Sequence, residues 1–248
     1  MFPLSNDLKQ QIDAEVTAIQ TKMHGEDGLA EIRAYRRQYT SQLTILQNLE
    51  FDTFNWQLHD SNASSQLYYD DFGDTLEISI MLPNGEMKRE TSSSQMPVFR
   101  NWMRSIALEQ SGGIVFCEEF SLDNGLTGSE SILKIPRQEA PGMDYIYVLQ
   151  ALHYKEQKIY RITIRVNEMS PTGMRDNIFI QPISLILGLD FMEMAKLYNQ
   201  DPYDKNFKEG NTMNLSERQE FDYLFPFHPL SIIRNEIMPQ LKYNLRFI

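Results

Sequence analysis

The chain has 248 residues, 42% of them hydrophobic, with one cysteine and a formal charge of −11. It is long enough for one large domain, or a domain with a helical annex, and apolar enough to build a core. The acidity speaks against a nucleic-acid partner, which needs a basic face, and the lone Cys117 excludes an internal disulfide and a thiolate metal cluster.

The first residues lack a basic stretch followed by an apolar run, so no signal peptide is expected. The longest apolar run, "ISLILGL", falls far short of the ~20 residues of a membrane helix. A cytoplasmic bacterial protein is the expectation, with no membrane contact.

Leu8, Ile12, Val16, Ile19 and Met23 share one helical face, and Ser5, Asn6 and Asp7 offer capping oxygens, which predicts a helix over residues 5–23. "HGEDG" breaks it. A stripe of Leu29, Ile32, Tyr35, Tyr39, Leu43 and Leu46 predicts a second helix to about residue 46, closing an N-terminal helical hairpin over residues 1–48. The texture then changes. "FNWQL" alternates, and Leu76, Ile78, Ile80 and Leu82 share one strand face. "DDFGD" between them has acids and glycine out of register for an EF-hand and reads as a turn. "PNG" at 83–85 signals a hairpin turn. A helix follows, with Pro97 near its first turn, Phe99, Trp102, Met103 and Ile106 on its apolar side, and Gly112-Gly113 as its stop.

Four strands are expected next, over 114–122, 131–135, 145–154 and 159–166. In the last, Tyr160, Ile162, Ile164 and Val166 face one way and Arg161, Thr163 and Arg165 the other. Beyond Asp176 the pattern turns helical, and Pro182 argues against one unbroken helix. Ser216 and Gln219 stand at capping-box spacing, and Pro229 sits at a helix-start position. The sum is an α+β fold: an antiparallel sheet of about five to seven strands flanked by helices over 49–190, and a helical extension over 191–248.

The common catalytic signatures are absent: no GxxxxGK[ST], GxSxG, HExxH or CxxC. No cofactor or metal is implied. Glu118 and Glu119 are strand neighbours facing opposite sides, so they make no catalytic pair. Cys117 has no local base and reads as an inert buried thiol. His24, His59, His153 and His228 are scattered. Arg33, Arg36 and Arg37 with Tyr35 and Tyr39 form a patch too small, on so acidic a chain, for nucleic acid.

Two segments stand out. In "NEMSPTGMRD", Pro171 and Gly173 permit a sharp turn, with Thr172 or Ser170 capping it and Glu168 and Arg175 placed to close it through a bidentate hydrogen bond. The functional alternative is that Arg175 or the turn amides bind an anion. In "EFDYLFPFHPLSIIRNEI", Phe225, Phe227, His228 and Arg234 are either a docking surface or the plug that packs the tail on the sheet.

These segments resemble a group of uncharacterised bacterial proteins that share E-x-x-x-TG-x-R after a strand (Glu168, Thr172, Gly173, Arg175) and FP-x-HPLS-x-x-R near the end (Phe225, Pro226, His228, Pro229, Leu230, Ser231, Arg234). The resemblance spans roughly residues 75–238 and implies no activity. The order of elements is also similar, in topology alone, to Mog1/PsbP-like α+β domains, which implies a binding or assembly module.

The leading expectation is therefore a non-enzymatic protein that binds another protein, with a homo-oligomer as a possibility and Arg234 and Phe227 exposed. The second is a small-molecule hydrolase or lyase with Glu118 or Glu119, His153, Glu168 and Arg175 converging on one sheet face. The third, motivated only by charge, is an immunity protein that neutralises a basic toxin.

Overall fold

The structure is a computed structural model; it describes residues 4–34, 39–84, 96–138, 141–168, 174–190, 192–194 and 199–248. The fold is α+β with two antiparallel sheets.

Helix α1 spans Asn6–Ala34 and is broken at Gly25, whose φ of 67° and ψ of 170° leave helical space, as "HGEDG" predicts. Ile12 and Val16 are fully buried, against α3 (Met174–Leu187) and the segment Gln219–Leu224. The second helix does not reach residue 46. Leu43–Leu46 is instead strand β1, paired with β2 (Leu49–Asp52) across a turn in which Gln47 takes φ 53°. Thr44 and Ile45 are β-branched, and Gln47-Asn48 is a two-residue hairpin loop; both outweigh the helical stripe. Tyr35, Arg36, Arg37 and the side chain of Arg33 lie outside the described residues.

The large sheet holds β3 (Gln57–Ser61), β4 (Ser65–Tyr69), β5 (Thr75–Met81), β6 (Gly113–Ser121), β7 (Thr127–Pro136), β8 (Met143–His153) and β9 (Lys158–Asn167). Its order is β3-β4-β5-β9-β8-β7-β6. β4 is a strand the sequence pattern did not reveal. "DDFGD" is a turn: Asp70 Oδ1 accepts from the amides of Phe72 and Asp74. The β8–β9 register sets Tyr147 opposite Ile164 and Leu149 opposite Ile162, all fully buried. Arg161, Thr163 and Arg165 take the other face, as the alternation predicts.

That buried face packs on Phe51, Phe54, Trp56 and the terminal helix, which contributes Leu230, Ile233, Ile237 and Leu241. This helix, residues 229–244, is α-helical at Pro229–Ile232 and Met238–Asn244, with a π-helical turn at Ile233–Ile237 between. The chain ends in β10 (Arg246–Phe247), which completes a small sheet of order β1-β2-β10. Helix α2 (Met96–Glu109) covers the opposite face over β6 and β7 through Met103 and Ala107.

Two local expectations are corrected. Helix α3 runs through Pro182 without a break; proline removes one donor, and the burial of Ile178, Phe179 and Ile183 outweighs that loss. The capping box is formed by Asn214 and Glu217 rather than Ser216 and Gln219. Gly85 of the "PNG" turn, the Pro171-Thr172-Gly173 turn and Ser170 lie outside the described residues.

Both edges of the large sheet are guarded. At β6, the Cys117 amide donates to Tyr203 Oη at 2.6 Å and its carbonyl accepts from Arg100 Nε at 3.1 Å. The Arg100 guanidinium lies 4.0 Å over the Tyr203 ring. A Cβ at Gly113 would collide with the Asn211 carbonyl, so the chain there lies directly on the strand. At the other edge, β3 is five residues long, fully exposed, and bulged between Leu58 and Asp60. These are the devices that stop a sheet from adding strands.

Candidate functional site

The two segments singled out in the sequence meet in one buried network. Glu168 leaves β9 and stays on β8: its amide donates to the Met143 carbonyl at 3.2 Å, and its Oε2 accepts from the Met143 amide at 3.1 Å. Seven residues later Arg175 emerges from the first turn of α3 and is 3% exposed. A guanidinium has five N–H donors, and all five are taken. Two go to the Ser216 carbonyl, one to Asp222 Oδ1 at 3.0 Å, one to Ser231 Oγ at 3.1 Å, and one faces His228 Nδ1 at 3.4 Å. Arg175 therefore neither closes the 168–175 turn onto Glu168 nor retains a donor for an external anion. Its partners were not foreseen, because Ser216 and Asp222 are forty or more residues away.

Arg234 joins from the terminal helix. Its Nη1 donates to the Glu217 carbonyl at 2.7 Å and lies 3.3 and 3.4 Å from the two Asp222 oxygens. Asp222 thus holds two guanidinium groups. The Arg234 side chain is 8% exposed, Phe225 is in the core, and Phe227 is half-buried. The docking surface expected at these residues is thus largely internal, because the carboxylate of Asp222 and the open Glu217 carbonyl draw the arginine inward. Pro226 and Tyr223 are the exposed members.

His228 caps the terminal helix, its Nδ1 accepting from the Leu230 amide. That fixes the proton on Nε2, which lies 3.9 Å from Glu168 Oε1, beyond hydrogen-bonding reach. Burial, then the charges of Arg175, Arg234 and Lys134, hold the ring well below the usual histidine range. It is a neutral capping imidazole, stacked edge-on to Tyr145 at 4.9 Å.

A second layer adjoins the first. Glu217 accepts from Lys134 Nζ at 2.9 Å, Tyr145 Oη at 2.7 Å and the Asn214 amide at 2.8 Å. Burial alone would raise this carboxyl; Lys134, the Asn214 amide and Tyr145 outweigh it and hold it below the usual range. Ser216 Oγ lies 2.7 Å from Asp176 Oδ1 and 2.6 Å from Asn214 Oδ1. The Asn214 oxygen is identified by the Glu217 amide that it accepts from. A hydroxyl has one proton, and Ser216 Oγ lies between two acceptors, Asp176 and Asn214. Burial, then the Glu217 charge, pushes the Asp176 carboxyl up from its ordinary value.

This layer borders a cleft of about 620 Å³ lined by Lys134, Met143, Asp176, Lys208, Asn214 and the strip Gly210–Thr212, with Asn199 at its wall. The Asn199–Asn214 bridge and the Asn211 amide, bonded to the carbonyls of Ser111 and Gly112, fix that wall. Lys134 carries a sequence signal in retrospect: Glu130, Ile132 and Lys134 alternate on the core face of β7, and the tyrosines of β8 alternate beside them. The predicted strand began at Ser131 and so missed half of the pattern.

The residues of the enzyme alternative are not brought together. Glu118 pairs with Arg100 at 2.9 Å on the α2 side. His153 faces Lys158 at one end of the β8–β9 hairpin, and Glu168 follows the other end, about 30 Å away at ~3.3 Å per residue. Cys117 is fully buried, and its thiol is pushed up to about 12, by burial first. Among the described residues, no group of three or more His, Cys, Asp and Glu is placed to hold a metal ion, and no helix is long and apolar enough to cross a membrane.

The small sheet has its own edges at β1 and β10. β1 is an edge strand of the small sheet with no strand beyond it among the described residues. Leu43 and Ile45 on it are 47% and 50% exposed.

No family model matches the chain, and no curated protein does. Among solved structures it is similar to the Ran-binding protein Mog1p of Saccharomyces cerevisiae, at 8% identity and a TM-score of 0.39, over 64% of this chain and 94% of that one. A point mutant of the protein Mog1 matches over the same shares at 7% identity and a TM-score of 0.39. At these values the likeness is one of coarse topology.

Proposed function

We propose that this chain is a non-enzymatic protein-binding module that takes an extended segment of a partner onto the free edge of β1. The observation that carries the reading is the contrast between edges. The large sheet has both of its edges blocked by side chains, a close backbone approach or a bulge, whereas β1 has neither charge nor proline and presents Leu43 and Ile45. An added strand gains backbone hydrogen bonds from such an edge, and alternate side chains supply specificity. A net charge of −11 favours a basic segment. The catalytic-type side chains lend support, since Arg175 is engaged with His228 and Asp222, and Glu217 with Lys134 and Tyr145, inside the fold.

The test uses Ile45→Lys, which puts a charge on the edge, and Leu58→Lys on β3 as the control. A partner recovered from host lysate should bind the wild type and the control equally and lose tenfold or more in affinity with Ile45→Lys. The β1 amides should exchange hydrogen more slowly in the complex. A partner that tolerates Ile45→Lys refutes the edge. A wild-type chain that forms an Ile45→Lys-sensitive dimer, and recruits nothing else, makes β1 a self-association edge instead.

A further inference from the structure

The cleft beside the buried network has a chemical character opposite to that of the chain. The protein carries −11 overall, yet among the described residues the titratable groups that line this cleft are two lysines, Lys134 and Lys208, and one carboxyl, Asp176. Lys134 Nζ is held by one carboxylate, that of Glu217, at 2.9 Å, and an ammonium has three donors. Lys208 is exposed and makes no ion pair among the described residues. Asp176 accepts from Ser216 Oγ at 2.7 Å. The remaining polar lining is amide and hydroxyl, from Asn211, Thr212 and Asn214. The floor is fixed by the capping box and the wall by the Asn199–Asn214 bridge and the anchored Asn211, so the groups are preorganised. A volume of about 620 Å³ lies within the ~300–1,000 Å³ usual for small-molecule sites.

We infer that this cleft binds a small polar molecule through a carboxylate or phosphate group, with Lys134 and Lys208 as the cationic contacts and the side-chain amides of Asn211 and Asn214 for its hydroxyls. The inference is independent of the β1 reading: it concerns another surface and another class of ligand.

The test is a titration of the full chain at pH 7 with inorganic phosphate, citrate, glucose 6-phosphate and glucose, followed by the amide NMR shifts of Asn211, Thr212 and Asn214. At least one oxyanion should saturate these shifts with a Kd below ~10 mM, and glucose should not. The phosphate and citrate arms decide which anion the site prefers. Lys208→Ala, an exposed change that leaves the fold alone, should weaken the binding fivefold or more. Asp176→Asn should strengthen it severalfold, because a carboxyl group beside the two lysines is replaced by a neutral amide. The site is refuted if no oxyanion produces saturable shifts, if Lys208→Ala binds like the wild type, or if glucose binds as well as the anions.

Discussion

Asp222→Asn is the sharpest probe of the buried network. The substitution keeps the shape and removes the charge. Asp222 lies 3.0 Å from Arg175 and 3.3 Å from Arg234, and it accepts from Ser231 at 3.3 Å. Both guanidinium groups are more than nine-tenths buried as side chains. Taking one partner from a buried ion pair costs about 3–5 kcal/mol, because the other charge is left without compensation. Here two like charges are left. The expected loss is therefore at the upper end of that range, a large part of the 5–15 kcal/mol that is typical of a domain. The assay is urea unfolding at pH 7, with the midpoint shifted and the slope unchanged. Arg234→Met alone leaves the Arg175–Asp222 pair neutral and orphans one carbonyl, for a loss of about 1–3 kcal/mol. The double variant removes one of the two stranded cations, so it should be more stable than the sum of the single losses by about 1–3 kcal/mol. A loss below ~1 kcal/mol for Asp222→Asn, or strict additivity in the double variant, would mean that water reaches the site and that the network is not a buried one.

Two further outcomes are expected. His228 is held well below the ordinary histidine value in the folded chain, so the unfolded chain takes up its proton first as pH falls below ~6.5. Stability should then fall by up to about 1.4 kcal/mol per pH unit below ~6.5. His228→Asn, which keeps a capping acceptor, should remove that part of the slope between pH 5.5 and 6.5 in urea midpoints; equal slopes would refute a neutral buried imidazole. The Cys117 thiol, pushed up to about 12 and fully buried, should react with a disulfide reagent at pH 8 only at the rate of global unfolding, and any faster reaction would show a local opening of the β6 edge.

The sheet was legible because its strands advertise themselves locally. Tyr160, Ile162, Ile164 and Val166 alternate with arginines and threonine, and that pattern fixes both the strand and its buried face. β1 and β4 were not legible, because Leu43 and Leu46 fit a helical stripe as well as a strand, and "SQLYY" is too short and too mixed for any period. The network divides in the same way. Glu168, Arg175, His228 and Arg234 stood out because their segments were unusual in themselves. Asp222, Ser216 and Lys134 look ordinary in sequence, and only the tertiary fold brings them to the arginines and to Glu217. A guanidinium with five donors announces that it needs acceptors; it does not say where along the chain they lie.

The convergence of the two segments changes what they mean. Arg175 has its five donors engaged, His228 is a neutral cap and Asp222 is shared by two arginines. What it does is position. By holding the Ser216 and Glu217 carbonyls it fixes the Asn214–Glu217 turn, and that turn in turn orients Lys134 and forms the floor of the cleft between Lys134 and Lys208. Substituting Arg175 would act on that cleft through the turn, without touching a ligand. The arginines and the histidine that stand out in the sequence are thus internal, and the two surfaces proposed to bind, the cleft and the β1 edge, are built mostly from residues that do not stand out there.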